Sequence, residues 1–292
     1  MPKDVSLATL ERIQERVLWL ATRMIHEANH VRPNPDDTKV GGHQASSASV
    51  VSILTALYFG GWLRAGDRVS VKPHASPAFH AIQYLLGNLD ARYLTTLRAF
   101  GGLQAYPSRT KDPDPVDFST GSVGLGAAAP LFAALADRYA ASHFRPDHPH
   151  PTRRFIALVG DAELDEGNVW EAIGDETIRG TRLGNVLWIV DLNRQSLDRV
   201  IPGIKVQEME ALFRGIGWQV LEAKYGRRLQ AAFTAPGGAA LRQRIDTMPN
   251  EEYQDLVRLP GEQARQRLVD DAPADQRDAL AGCLAAVSDQ DL

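Results

Sequence analysis

Two apolar, β-branched runs joined by one helical stretch constrain this chain more than any other feature. Residues 154–159 and 186–191 each read as a strand, and 163–179 between them has the spacing of a helix. A strand, a helix and a second strand of these lengths fold as a right-handed crossover, so the two strands are parallel and helices cover both faces of their sheet. The expected fold is therefore α/β: a doubly wound, mostly parallel sheet with helices on both faces, plus a helical C-terminal tail.

The same spacing predicts helices over 8–30, 46–63, 78–86 and 91–100, and a short strand at 69–72 closed by Pro73. Residues 124–142 are apolar nearly all round, which predicts a helix buried on most sides. A further crossover step is expected, with a helix near 206–215 and a strand at 218–223. Trp170, Trp188 and Trp218 lie in apolar patterns and are expected in the core. The tail from Pro236 is helical and charged, which suggests a main domain over 1–235 and an extension over 236–292.

Composition narrows the function classes. The 32 Lys and Arg against 36 Asp and Glu leave a net charge of −4, which gives no general attraction to nucleic acid or to an anionic membrane. Cys283 is the single cysteine, so no intrachain disulfide and no multi-cysteine metal site can form. The charged N-terminus has no apolar stretch of the signal-peptide kind, and the uncharged run 121–136 is too short to span a membrane. These features predict a soluble, cytoplasmic protein with no nucleic-acid or membrane partner.

In doubly wound sheets, ligands sit beyond the carboxyl ends of the strands. Asp161 follows the first strand of the crossover and Asn193 the second, so a carboxylate and an amide oxygen would meet at one sheet edge. Mg²⁺ takes about six oxygens and commonly uses one or two carboxylates, with phosphate and water supplying the rest. The N–H groups of a helix starting at Glu163 would favour a diphosphate at the same place. An Asp at a strand end is equally a plain helix cap, and the Gly-rich turn 121–126 equally a tight start to a helix. His43 and His74, each in a loop or at a helix start, are from position alone more often structural or exposed than catalytic.

The order of blocks along the chain separates these readings. Gly160-Asp161-Ala162 followed by Asn193 resembles the thiamine diphosphate signature, normally Gly-Asp-Gly and then Asn. Gly41-Gly42-His43-Gln44-Ala45-Ser46, Lys72-Pro73-His74-Ala75-Ser76-Pro77, Tyr106-Pro107, Ser122-Val123-Gly124-Leu125-Gly126 and Glu163-Leu164-Asp165-Glu166 resemble, in order, the blocks of the transketolase superfamily. They are most like the homodimeric type of pyruvate dehydrogenase E1 component. Asn193-Arg194-Gln195-Ser196-Leu197-Asp198, Phe213-Arg214-Gly215-Ile216-Gly217-Trp218 and Glu252-Tyr253-Gln254 extend the similarity over roughly residues 10–270.

The resemblance implies roles position by position. Asp161, the Asn193 side chain and the Gln195 carbonyl would hold Mg²⁺. His74, Gly121, Ser122, Val123, Gly160, Asp161, Ala162, Glu163 and Asn193 would line thiamine diphosphate. His43, and with it His74, would act on the catalytic side. Three departures are visible: Ala162 replaces the signature's third Gly, no His lies between Leu86 and Val123 where transketolases contact the sugar, and the chain is shorter than single-chain members. The resemblance thus implies an E1-like α-type subunit of an α2β2 heterotetramer. A separate β-type subunit would supply the pyrimidine domain and the catalytic Glu. The assembly would cleave a 2-oxo acid or ketose and pass a two-carbon unit to lipoamide, an acyl-carrier thiol or an aldehyde. Alternatives are the N-terminal subunit of a split transketolase acting on sugar phosphates, and a non-catalytic assembly subunit. A Rossmann-type nucleotide-binding protein would require a Gly-x-Gly-x-x-Gly turn directly after a first strand.

Overall fold

A computed structural model describes residues 5–33, 39–144, 153–181, 183–192, 195–196, 199–200 and 206–289. By internal contacts the chain divides into two compact units, Met1–Asn193 and Arg194–Leu292.

The first unit is built on three parallel strands, β1 (Arg68–Ser70), β2 (Phe155–Gly160) and β3 (Val186–Asp191), in the order β1-β2-β3. Ile156 pairs with Val69 on one side and with Leu187 on the other, and Gly160 pairs with Asp191 at the far end. Val69, Val71, Ile156 and Leu158 share one core with Val17 and Leu20 of α1 (Leu7–His26), Leu54 of α3 (Val51–Phe59), and Phe79 and Ile82 of α4 (Ser76–Leu85). Successive strand residues point to opposite faces, so Phe155, Ala157 and Val159 face the other way. There α5 (Leu125–Phe144) packs on β2 and β1. A methyl group added at Gly126 would lie 3.2 Å from Ser70 Oγ, which shows how closely the α5 backbone approaches β1. The α/β class, the parallel sheet and the helices on both faces agree with the sequence expectation.

Several elements differ in detail, each for a local reason. The helix expected over 46–63 is two, α2 (Gln44–Ala48) and α3, because Ser49 and Val50 interrupt it. The helix expected over 163–179 is a 3-10 turn (Asp161–Asp165), α6 (Gly167–Gly174) and α7 (Glu176–Thr181). Glu166 and Asp175 are extended at the two breaks, and Asp175 Oδ1 caps α7 by accepting from the Thr177 and Ile178 N–H groups at 2.9 and 3.0 Å. The 91–100 stretch contains only a 3-10 turn, Ala91–Thr95. The helix α5 is not buried all round: Leu125, Phe132, Tyr139 and Phe144 are exposed. Trp170, Trp188 and Trp218 are half-buried rather than in the core.

In the second unit, β4 (Gln195–Ser196) and β5 (Arg199–Val200) form an antiparallel pair, followed by α8 (Val206–Gly215). The strand expected at 218–223 is absent: those residues are irregular. Five helices follow, α9 (Arg227–Thr234), α10 (Gly238–Asp246), α11 (Asn250–Leu256), α12 (Gly261–Asp270) and α13 (Arg277–Leu284). Leu241, Met248, Leu268, Leu280, Cys283 and Leu284 form their core. Helix α9 packs on α10, and Cys283 Sγ donates to Ala232 O at 3.4 Å. Among the described residues no helix is long and apolar enough to cross a membrane.

Candidate active site at the carboxyl edge of the sheet

The chain leaves β1 through Val71 and Lys72 into a 3-10 turn, Pro73–Ala75, closed by Ala75 N–H donating to Lys72 O at 3.0 Å. Proline at the start of the turn presets its φ, and the turn places His74 beyond the strand end. Ser47 of α2 donates its hydroxyl to His74 O at 3.2 Å. His43, the residue before α2, then lies against His74, with ring centroids 4.1 Å apart. The loop leading to His43 is held from two sides. Asn29 accepts from Gly41 N–H and donates to Gly41 O, both at 3.0 Å, and Arg98 donates to Val40 O at 2.7 Å. Gly41 has a φ of +87°, and an added methyl group there would collide with the Arg98 guanidinium. Only glycine meets both demands cheaply.

Tyr106 extends this row, 5.7 Å from the His74 ring and with Oη 3.3 Å from Ser122 Oγ. It sits in the Gly- and Pro-rich segment 101–120, which is irregular yet pinned. Asp112 accepts from Gln104 N–H at 2.8 Å and Ser108 N–H at 2.7 Å, while Ser76 donates to Ala105 O at 3.1 Å. Fully buried His80 and Asp114, 2.8 Å apart, tie the segment to α4. Gly121 and Ser122 are half-buried and Val123 is exposed. Gly124, with φ of +80°, starts α5 where an added methyl group would strike Asn168 Oδ1 and Val169 Cγ2.

Asp161 emerges from the end of β2, the strand paired with β1, and is buried. One of its oxygens accepts from Ala162 N–H at 3.0 Å. Glu163 turns back so that Oε2 accepts from Gly160 N–H at 3.0 Å, while Oε1 is buried without a hydrogen-bond partner. Burial pushes the Glu163 carboxyl up to about 7, against the pull of the Gly160 N–H and Lys72. Burial pushes His74 down to about 4, helped by His43, Lys72 and Arg98, so its ring is neutral at pH 7.

The structure therefore brings together His43, His74 and Ser122 through Tyr106, and sets Gly160, Asp161, Ala162 and Glu163 at the neighbouring strand end. Asn193 lies outside the described residues. Gln195 is described as backbone in β4, paired with Val200. Among the described residues no group of three or more His, Cys, Asp or Glu side chains gathers as a metal centre. The donor chemistry suits Mg²⁺ with a diphosphate. One oriented carboxylate is the protein share such a cation uses when phosphate oxygens fill other positions, and the buried Glu163 Oε1 and Asn168 Oδ1 are acceptors that a polar group or water would satisfy.

Sequence reasoning missed three side chains here. Lys72 Nζ lies 2.6 Å from Asp191 Oδ2 and 3.3 Å from Ser49 Oγ, and Ser49 donates to Asp191 at 2.7 Å. Lys72 and Asp191 side chains are 3% and 9% exposed. The signal was a lysine and an aspartate ending two apolar strands, which has meaning only once the strands are known to flank β2.

Residues 62–245 match the sequence family described as the thiamine diphosphate-binding domain of transketolase. The chain is 32% identical to the pyruvate dehydrogenase E1 component of Mycobacterium tuberculosis, over 83% of this chain and 26% of that protein. It is 31% identical to the E1 component of Pseudomonas aeruginosa, over 91% of this chain and 30% of that protein. It thus spans under a third of the length of these relatives. Transketolase from Leishmania mexicana superposes with a TM-score of 0.62 at 21% identity, covering 75% of this chain and 32% of that one, which is a likeness of fold.

Proposed function

The chain belongs to the family of transketolase thiamine diphosphate-binding domains, and from that membership we propose that it forms the diphosphate half of an E1-like enzyme site, as an α-type subunit. The observation that carries the reading is the row His43, His74, Tyr106 and Ser122 around the end of β1, with Asp161 buried at the end of β2, the strand paired with it. Asp161 would hold Mg²⁺ together with Asn193 and the Gln195 carbonyl. Gly121, Ser122, Val123, Gly160, Ala162, Glu163 and His74 would line thiamine diphosphate. When bound, that cofactor supplies the electron sink for cleavage beside a ketone carbonyl.

The chain's own residues would do the rest. His74, neutral through burial, keeps one ring nitrogen as acceptor and the other as donor, so it can pass a proton without carrying charge into the site. His43, on the exposed side of the pair, would donate to the oxygen on which charge develops. The Asn29 and Arg98 clamps on residues 40 and 41 fix its approach.

The matched family is that of the diphosphate-binding domain, which supports a site completed by a pyrimidine domain and its Glu from another polypeptide. We assign them to a separate β-type subunit in an α2β2 assembly. A 2-oxo acid is favoured as donor because the relatives at 31–32% identity are pyruvate dehydrogenase E1 components. A lipoyl or acyl-carrier domain is the expected acceptor. Calorimetry of thiamine diphosphate with the assembled complex tests the cofactor assignment: binding should require Mg²⁺ and vanish in Asp161→Ala. Unchanged affinity in that variant, or binding undiminished by EDTA, overturns it.

A further inference from the structure

Resting on the cofactor reading above, we propose that Lys72, Asp191 and Ser49 are positioning residues that lock the strand ends carrying the metal carboxylate and the histidine pair. Lys72 leaves β1, its Cδ passes 3.8 Å from where a Gly160 methyl would sit, and its ammonium reaches Asp191 on β3 at 2.6 Å. One side chain therefore crosses the end of β2 from the strand before it to the strand after it. Asp191 is paired in register with Gly160, the residue directly before Asp161. Lys72 stands two residues before His74, and its backbone carbonyl closes the turn that presents that ring. Ser49, bonded to both charges, ends the short helix α2 whose first flanking residue is His43. Three segments that each carry a proposed site residue thus meet at one buried ion pair.

An ion pair of this kind is a costly way to gain stability. Taking two charges out of water consumes much of the attraction between them, and well-packed apolar residues of similar volume commonly serve as well or better. What the pair provides is direction: a carboxylate oxygen, an ammonium and a hydroxyl at bonding distance fix three backbones against each other more narrowly than apolar contact does. Partners that orient a metal ligand typically govern affinity by roughly 10- to 100-fold, which is the scale expected here.

The test compares the full wild-type chain with its β-type partner, Lys72→Met, and the double variant Lys72→Met/Asp191→Leu. Thermal unfolding in EDTA reads stability, and a Mg²⁺ titration of thiamine diphosphate binding reads the metal site. Lys72→Met should be strongly destabilised, because it leaves Asp191 buried without its ion partner. The double variant should melt close to wild type and yet need roughly 10- to 100-fold more Mg²⁺ for half-maximal cofactor binding. A double variant with wild-type Mg²⁺ dependence overturns the positioning role while leaving the cofactor reading intact. A wild-type complex that shows no Mg²⁺-dependent binding overturns the cofactor reading, and this role with it.

Discussion

His74 shows how one residue's surroundings set its chemistry. Burial and the neighbouring His43, Lys72 and Arg98 hold its folded value at about 4, against 6.5 for a solvated ring. Between those values the unfolded chain binds the proton and the folded chain resists it, so the stabilisation is complete above about 6.5 and is lost as pH falls toward 4. Urea unfolding at about pH 7 and about pH 4.5 should show wild type losing more stability than His74→Gln over that interval, and an equal loss would assign the pH response to other groups. Activity of the assembled complex should separate the two rings. Loss of a positioned proton donor costs ~10² to 10⁴ in rate, so His43→Ala should lower turnover with little change in cofactor affinity, whereas His74→Ala should weaken both. Wild-type turnover in His43→Ala would return that residue to a structural role. The candidate histidines were legible in the sequence because loop positions and block order single them out. Their contact was not, since 31 positions of chain separate them.

At the scale of elements, glycines and buried polar pairs decide where the site segments sit. Gly124 combines a left-handed φ of +80° with a packed environment of Asn168, Val169 and Glu166. Gly124→Ala should therefore cost at least the ~1–3 kcal/mol of a strained backbone position, and a denaturant midpoint equal to wild type would show that the start of α5 can relax. The His80–Asp114 pair, fully buried, is one of the contacts that hold segment 101–120 without regular structure. Asp114→Ala leaves a buried ring nitrogen unsatisfied, which predicts a loss of about 1–3 kcal/mol and faster proteolysis within 101–120. Most helices and strands of the first unit were legible from periodicity, because apolar spacing records which face is buried, though the helix expected over 91–100 is only a 3-10 turn. Their breaks were less so: Asp175 ends α6 and caps α7 through its side chain, and a capping carboxylate inside an otherwise helical pattern has no period to reveal it.

For the whole molecule, the prediction concerns what these 292 residues do alone. Helix α5 exposes Leu125, Phe132, Tyr139 and Phe144, and the reading proposed above places the pyrimidine half of the site on another polypeptide. The purified chain should self-associate or dissolve poorly, bind thiamine diphosphate weakly and turn over no substrate, and the matched β-type subunit should restore solubility, binding and turnover. Substrate-dependent reduction of an artificial electron acceptor by this polypeptide alone, shown free of partner by mass spectrometry, would refute the two-subunit reading. By itself the sequence determined the α/β class, the parallel crossover at 154–191 and the family, because burial imposes a period on each element and a cofactor imposes an order on its blocks. Only the tertiary structure decided that 218–223 is not a strand, that one side of α5 is exposed, and that Lys72, Asp191 and Ser49 meet. A contact between residues 119 and 142 positions apart is set by which strands lie side by side, and no local spacing along the chain encodes that adjacency.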